Sequence, residues 1–126
     1  MYKLDANNAP DALGPYSHAI VTGDFVFLSG QLGMNKEKGA LAEGVESQTE
    51  QAFKNIKAIL AEENLTLEDV VKVTVLLAEI EDFAKVNHVY AKHFNEPYPA
   101  RSAFAVKDLP AGGLVEIEVI ATKNNN

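Results

Sequence analysis

The pattern of apolar and polar side chains along the chain predicts five β-strands. They are rich in β-branched and aromatic residues and lie at residues 17–22, 25–29, 70–77, 101–106 and 114–121. The first two are separated by Gly23-Asp24, so we expect a two-residue hairpin turn in which Gly23 adopts a positive φ. In the third strand every odd position from Val71 to Leu77 is apolar, which predicts that these side chains face the core. Residues 34–44 predict a glycine-containing loop that has room for a short strand.

Two segments carry the periodicity of an amphipathic helix. The first is predicted to begin at Ser47, because Ser47-Gln48-Thr49-Glu50 has the form of a capping box, and to end at Asn64, which tolerates the left-handed conformation. Its apolar stripe consists of Ala52, Phe53, Ile56, Ile59 and Leu60. The second helix is predicted over residues 82–94, before Pro97 and Pro99. Its apolar side carries Phe83, Val86, Tyr90 and Phe94.

The order of these elements, β-β-α-β-α-β-β, predicts an α+β fold. We expect two helices packed on one face of a mixed, mainly antiparallel sheet. The length of 126 residues fits one domain over residues 1–126, with Asn124-Asn125-Asn126 as a frayed tail. The second face of such a sheet stays partly apolar and exposed, which favours association between copies of the chain.

Composition and charge restrict the possible functions. The chain has no cysteine, which excludes disulfides and thiolate nucleophiles and is typical of a reducing cytoplasm. We expect no signal peptide and no membrane partner, because no apolar run follows Lys3 and none approaches the ~20 residues of a membrane span. The formal net charge of -7 opposes nucleic-acid binding. His18, His88 and His93 lack the spacing of metal ligands, and no nucleotide-binding or hydrolase-triad motif occurs.

A few polar residues stand where they could take part in chemistry. Arg101 begins a strand among small and apolar neighbours. Its planar fork suits a carboxylate, although the local sequence alone favours a structural ion pair at a sheet edge. Glu116 and Glu118 alternate with apolar residues on the last predicted strand. Each of them is either part of a polar face in contact with water or a group that orients a water molecule and carries a proton. Tyr16 and the Ser29-Gly30 pair lie at strand ends, where they either pack or approach a ligand.

Taken together, four motifs resemble the Rid (YjgF-like) family in order and spacing, and the resemblance spans roughly residues 14–121. They are Gly14-Pro15-Tyr16-Ser17, Phe27-Leu28-Ser29-Gly30-Gln31, Pro99-Ala100-Arg101-Ser102 and Val115-Glu116-Ile117-Glu118. The resemblance implies a chorismate-mutase-like homotrimer with a site in each cleft between subunits. It also implies a cytoplasmic, cofactor-independent hydrolase. Such an enzyme converts the enamine and imine forms derived from 2-aminoacrylate and 2-aminocrotonate to pyruvate or 2-oxobutanoate and ammonia.

The same resemblance implies roles for individual residues. Arg101 would bind the substrate carboxylate, and Glu116 would hold or activate the water that attacks the imine carbon. The other substrate-binding positions that it implies are Tyr16, Ser29, Gly30, Asn87 and the backbone around Ala103. Many members of the family carry cysteine where this chain has Ala103, which removes any thiol role and leaves the preferred substrate side chain open. No metal and no cofactor are implied.

Other functions are compatible with these residues. A non-catalytic trimer that senses 2-oxo acids or similar small carboxylates would also use Arg101, and the response to Glu116→Gln distinguishes it from an enzyme. A ribonuclease or translation inhibitor is disfavoured by the negative charge and by the absence of a basic, aromatic-rich patch. A holdase-like chaperone that uses the apolar sheet face is the third alternative.

Overall fold

The structure is a computed structural model and describes residues 1–125 of the chain. Within that range the chain forms nine β-strands and two α-helices. In chain order they are β1 (Tyr2–Leu4), β2 (Ala19–Thr22), β3 (Phe25–Leu28), β4 (Gln31–Leu32), β5 (Met34–Asn35), β6 (Ala40–Leu41), α1 (Val45–Ala61), β7 (Val70–Leu77), α2 (Phe83–Tyr90), β8 (Ala100–Ala105) and β9 (Val115–Thr122). Single 3-10 turns lie at Leu67–Asp69, Ile80–Asp82 and Pro110–Gly112.

The main sheet has the strand order β1-β2-β3-β9-β7-β8, with β4 also paired to β9, while β5 and β6 form a separate ribbon. Its pairs are antiparallel except for β7 and β8, which are parallel because the chain between them crosses through α2. β2 and β3 form the predicted hairpin, and Gly23 in its turn has a φ of 55°. The predicted α+β arrangement with a mixed, mainly antiparallel sheet is therefore confirmed.

Both helices cover the same face of the sheet and enclose the core. The whole predicted stripe of α1, from Ala52 to Leu60, is fully buried. It packs against the inward side chains of β7 and β9, which are Val73, Val75, Leu77, Val115, Ile117, Val119 and Ala121. Each fully buried aliphatic or aromatic side chain of this kind contributes about 1.5–3 kcal/mol relative to an exposed one. The core thus fixes α1 and α2 on one side and leaves the other side of the sheet open.

The open face of the sheet carries several apolar side chains. Phe25 and Phe27 on β3 and Phe104 on β8 expose 46%, 44% and 48% of their surface. Among them Lys72 on β7 donates from Nζ to Ser102 Oγ of the neighbouring strand at 3.1 Å. Large exposed rings on a sheet face are typical of a surface that another chain covers.

The N-terminus of α1 differs from the prediction. The helix begins at Val45, two residues before Ser47, and Gly44 is its N-cap, with a φ of 84° and no side-chain cap. The side chain of Val45 is buried, so the first turn forms where core packing starts and the predicted capping box does not form. Glu50 instead forms an ion pair with Lys92 and a hydrogen bond with Nε2 of His93, both just after α2. α1 ends at Ala61, and Asn64 adopts the left-handed conformation predicted for it after the helix end, with a φ of 58°.

Two further predictions were wrong in detail. Val71 is 40% exposed, because the register of β7 on β9 shifts between Val70 and Lys72 and Val70 takes the buried position instead. α2 ends at Tyr90 rather than at Phe94, and a tighter turn follows in which the His93 N–H donates to the Tyr90 carbonyl oxygen at 3.0 Å. Phe94 is still buried, as its place in the apolar pattern predicted.

Part of the predicted tail makes contacts. Asn124 donates its N–H to Thr122 Oγ1 at 3.2 Å, and Asn125 donates from Nδ2 to the Glu68 carbonyl oxygen at 2.8 Å. Asn126, the last residue of that prediction, lies outside the described residues.

The observed helix starts predict that, of two hydroxyl deletions, one is destabilising and the other is nearly neutral. Thr66→Ala should lower the free energy of unfolding by about 0.5–2 kcal/mol. Its Oγ1 accepts the Glu68 N–H at 3.2 Å, at the start of the first 3-10 turn. Ser47→Ala should stay within about 0.5 kcal/mol of the parent, because Ser47 is already inside the first turn of α1. Denaturant unfolding measures both changes, and a larger loss for Ser47→Ala would contradict the helix start at Val45.

Candidate functional site

Arg101 is the only arginine in the sequence and lies on β8, an edge strand of the sheet. Its register with Val73 places its side chain on the face that the helices cover. There Nη1 donates to Asn87 Oδ1 at 2.7 Å, and Cζ lies 4.7 Å from the centroid of the Tyr90 ring and 5.3 Å from that of Phe83. We call Phe83, Asn87, Tyr90 and Arg101 the arginine cluster.

Helix α2 supplies three of the four members of the arginine cluster. Phe83, Asn87 and Tyr90 are spaced by four and three residues, which puts them on one face of the helix. A guanidinium has five N–H donors and the bond to Asn87 uses one of them, so the rest of the fork stays available to a planar anion. The cluster borders an open cleft of about 390 Å³, lined by Asn87, Tyr90, Ala91, Tyr98, Pro99 and Arg101. This arrangement can bind a carboxylate.

Tyr90 contributes its ring rather than its hydroxyl to this cluster. The ring packs against Phe53 and Phe94, with centroid distances of 5.9 Å and 4.7 Å. The hydroxyl is buried and has no hydrogen-bond partner within residues 1–125. Burial raises the pKa of the Tyr90 phenol, while the positive charge of Arg101 acts in the opposite direction.

Glu116 lies on the opposite side of the sheet, on the open face. It is paired with Leu32 of β4 and with Leu76 of β7. Its carboxylate packs directly against Gly30, because a Cβ at position 30 would lie 2.1 Å from Glu116 Oε1. The missing side chain of Gly30 is therefore what gives the carboxylate its place.

Ser29 ties the Tyr16 segment to the same region. Its Oγ donates to the Ser17 carbonyl oxygen at 2.6 Å, and its N–H donates to the His18 carbonyl oxygen at 3.0 Å. Tyr16 precedes this tie and exposes 51% of its surface. We call Ser29, Gly30 and Glu116, with the tethered Tyr16, the glutamate cluster.

The surroundings of Glu116 favour its protonated form. Desolvation by burial raises the pKa of the Glu116 carboxyl, and the negative charge of Glu118 on the same strand raises it further. A carboxyl group whose pKa is raised towards neutrality exchanges protons more effectively near pH 7 than an ordinary one. Glu116 can therefore orient a water molecule and accept or return a proton.

The arginine and glutamate clusters of one chain do not meet. Arg101 on β8 pairs with Val73 on β7, and Val73 pairs with Val119 on β9. Glu116 lies three residues before Val119 on β9. Strand spacings of ~4.8 Å and a rise of ~3.4 Å per residue put the two backbone positions roughly 14 Å apart. Because the offset is odd, the two side chains also point to opposite faces of the sheet.

Ala103 lies beside the arginine cluster. It is two residues after Arg101 on the same face of β8, paired with Val75 and packed against the core. Because β8 is an edge strand, its outward backbone groups are not used by the sheet ladder. The structure thus brings together Arg101, Asn87 and Ala103, and separately Ser29, Gly30 and Glu116.

Phe83 and Tyr90 were predicted from the sequence only as core residues of the second helix. The spacing of residues 83, 87 and 90 was a usable signal, since it predicts a shared helix face. That spacing does not reveal Arg101 as the neighbour of this face, because the contact depends on the parallel pairing of β8 with β7.

The histidines are not arranged with either cluster. His18 is buried; its Nδ1 accepts the Ala6 N–H at 3.0 Å and its Nε2 pairs with the Pro10 carbonyl oxygen at 2.7 Å. Within residues 1–125, no three or more His, Asp or Glu side chains come together in a way that could hold a metal ion. No α-helix in that range has the length and apolar character needed to cross a membrane.

Comparisons with known proteins give matches over nearly the whole chain. The family profile described as Endoribonuclease L-PSP matches residues 6–123. A protein of Bos taurus named 2-iminobutanoate/2-iminopropanoate deaminase is 47% identical over 121 residues, which cover 95% of this chain and 88% of that protein.

Solved structures agree with this match. The chain is similar to RidA from the Antarctic bacterium Psychrobacter sp. PAMC 21119, with a TM-score of 0.93, 46% identity and coverage of 97% of this chain and 99% of that chain. It is also similar to E. coli TdcF with bound serine, with a TM-score of 0.93, 35% identity and coverage of 98% and 100%. Similarity at this level extends to the strands and helix that carry both clusters.

The raised pKa of Glu116 predicts a pH-dependent effect of its removal. Glu116→Gln should raise the thermal midpoint at pH 7, because the folded protein disfavours the ionised carboxylate there. The sign follows from linkage: the parent loses stability as pH rises from the ordinary glutamate pKa of about 4.3 through the raised value. The gain should therefore vanish below that ordinary pKa. Thermal melts across this range measure it, and a gain that persists in acid would contradict the assignment.

Proposed function

The chain belongs to the Rid (YjgF-like) family, and we propose that it hydrolyses the imine forms of small 2-amino acids to 2-oxo acids and ammonia. The observation that carries the proposal is the placement of Arg101, whose guanidinium is oriented by Asn87 while the rest of its fork faces a cleft. The substrates would be the enamine and imine species from 2-aminoacrylate and 2-aminocrotonate, and the products pyruvate and 2-oxobutanoate. We place this activity in the cytoplasm.

Arg101 would bind the substrate carboxylate through two parallel N–H donors. Such bidentate pairing fixes the plane of the carboxylate, and with it the direction of the adjacent imine carbon. The net charge of -7 repels anions at long range, so a local cation is needed to retain one. Asn87 keeps the guanidinium in position, and the edge backbone near Ala103 is available for a second contact.

Glu116 would position the attacking water and move its proton. The water oxygen bonds to the carbon of the protonated imine while Glu116 takes one water proton, which leaves a hydroxyl and a neutral amine on a tetrahedral carbon. Glu116 returns that proton to the amine, the C–N bond breaks, and ammonia leaves as the hydroxyl loses its proton and becomes the carbonyl, so the reaction consumes one water and needs no cofactor. General acid–base assistance of this kind contributes roughly 10²–10⁴-fold, enough for imines that already hydrolyse in water.

We propose that each site is completed by two copies of the chain. The arginine cluster and the glutamate cluster face opposite sides of one sheet, so a substrate held by Arg101 would receive Glu116 from a neighbouring copy. The exposed rings of Phe25, Phe27 and Phe104 on the open face support such an assembly. The family resemblance supports a homotrimer with a site in each cleft. Tyr16, Ser29 and Gly30 would then form the wall of the pocket beside Glu116.

The main prediction concerns catalysis. Arg101→Ala should lower kcat/KM at least about 100-fold, because it removes a charged bidentate contact worth several kcal/mol. Glu116→Gln should lower kcat by about 10²–10⁴-fold, because the amide cannot take a proton. The measurement is the rate of 2-oxo acid formation when a threonine or serine dehydratase generates the enamine in situ, above the background without this protein.

Glu118→Gln is the matched control for Glu116→Gln, since Glu118 is exposed on the same strand, two residues away. It should change the rate only a few-fold. If the parent gives no acceleration while 2-oxobutanoate still binds and Arg101→Ala abolishes that binding, the protein is the non-catalytic sensor of small carboxylates instead. If Arg101→Ala unfolds or falls apart into monomers, Arg101 is structural and the proposed site is wrong.

Mixing the two inactive variants tests the shared site directly. Arg101→Ala and Glu116→Gln subunits, unfolded together and reassembled, should regain activity, because some clefts then combine an intact Arg101 with an intact Glu116. Random mixing in equal amounts into trimers should restore about a quarter of the parent activity, since each cleft draws one residue from each of two copies. Each variant reassembled alone is the control. A site built within one chain would regain nothing.

The charge and the histidines argue against the endoribonuclease activity in the family description. A net charge of -7 repels the phosphate backbone, and both ring nitrogens of His18 are already bonded to backbone groups. His93, which follows α2, is hydrogen-bonded to Glu50 of α1. No pair of histidines is therefore placed for acid–base cleavage of RNA in the described chain.

A further inference from the structure

We propose that the rings of Phe83 and Tyr90 form an aromatic clamp that orients the guanidinium of Arg101 for carboxylate binding. Both would be positioning residues, since they act through Arg101 rather than on the substrate. The inference rests on the proposed function of Arg101 and adds to it the groups that hold this side chain in place.

The contacts of the clamp come from one helix face. Cζ of Arg101 lies over the Tyr90 ring at 4.7 Å and over the Phe83 ring at 5.3 Å, both within the ~6 Å range of cation–π attraction. Asn87, midway between them on α2, accepts the hydrogen bond from Nη1. The centre of the guanidinium thus lies over two ring faces, and one of its corners is bonded to an amide oxygen.

Arg101 needs such a clamp because of where it lies. It is an exposed residue on an edge strand, and its ion-pairing partner would be the substrate itself. A free arginine side chain has many rotamers, and ordering it on binding lowers affinity. Contact with the ring faces removes much of that freedom, yet it leaves the in-plane N–H donors free for a carboxylate.

Tyr90 is itself rigid enough to serve as the base of the clamp. It is only 7% exposed and packs against Phe53 and Phe94. Because its hydroxyl finds no partner within residues 1–125, the ring and not the O–H explains its place beside Arg101. Phenylalanine should therefore replace it, whereas an aliphatic residue of similar bulk should not.

The test compares Tyr90→Leu with Tyr90→Phe in the assembled protein. Tyr90→Leu should raise the Kd for 2-oxobutanoate and the KM for the imine by about three- to tenfold, with kcat within about twofold of the parent. Tyr90→Phe should stay within about twofold in all three, because it keeps the ring face. Calorimetry with 2-oxobutanoate gives the Kd, and the coupled dehydratase assay separates KM from kcat.

A second readout reports on Arg101 itself. Because the chain contains a single arginine, its Nε–H gives one side-chain signal of that kind in a ¹H–¹⁵N spectrum. Ring currents from the clamp should shift this proton upfield in the parent and in Tyr90→Phe, and Tyr90→Leu should lose most of the shift. Loss of core packing alone would leave no such pattern of loss and rescue.

Several outcomes would overturn the clamp. The clamp is wrong if Tyr90→Leu is folded and assembled and keeps both the parent Kd and the parent Nε–H signal. It is also wrong if Tyr90→Phe is as impaired as Tyr90→Leu. If Tyr90→Leu fails to fold, Phe83→Leu at its half-buried position is measured by the same two readouts, and parent values for both would again overturn the clamp. Arg101→Ala distinguishes failure of the proposed function from failure of the clamp. If Arg101→Ala binds 2-oxobutanoate like the parent, the proposed function is refuted. If Arg101→Ala loses binding while Tyr90→Leu keeps it, only the clamp is refuted.

Discussion

β9 pairs with β7 along one side and with β3 and β4 along the other, so distant parts of the chain satisfy its backbone. Because side chains alternate along a strand, this pairing also fixes which of them are buried. Val115, Ile117 and Val119 enter the core, and Glu116 is sent to the open face, where it lies against Gly30. The alternation of side chains along β9 therefore determines both which of its residues are buried in the core and where the Glu116 carboxylate, whose pKa is raised, lies.

Polar contacts from α1 extend this order to the short strands beside Glu116. Asn55 donates from Nδ2 to the carbonyl oxygens of Leu32 at 3.2 Å and Met34 at 3.0 Å. Gln48 accepts the Leu114 N–H at 2.9 Å, just before β9 begins. Each side-chain nitrogen and oxygen of these buried amides has a hydrogen-bond partner, and leaving one unpaired would be costly, so the two residues specify where β4 and the start of β9 lie. Gly30 is consequently held against Glu116 by groups on the other side of the sheet.

Charge gives the two clusters different characters. The chain is acidic overall, and its single arginine supplies positive charge at one place. Aromatic rings surround this guanidinium and attract it without neutralising its charge. Glu116 has the opposite surroundings, since burial and Glu118 both disfavour its ionised form. In the proposed reaction the cation would bind the substrate carboxylate, and the acid would exchange a proton with the attacking water. Their separation across the sheet makes association of copies part of the proposed chemistry.

The sequence by itself determined the elements whose signals are local. Periodicity located the stripe of α1 and the strand at residues 70–77. Gly23 marked the turn of the first hairpin and Asn64 the chain reversal after α1, both through backbone freedom. The resemblance of four motifs to a known family pointed to Arg101 and Glu116. Tertiary structure alone decided the rest, because it depends on contacts between residues far apart in the chain. Burial of Val45 moved the start of α1, and a bulge turned Val71 outward. Parallel pairing of β8 with β7 placed Arg101 over Phe83 and Tyr90, and the odd offset along β9 put Glu116 on the other face, which no local pattern can encode.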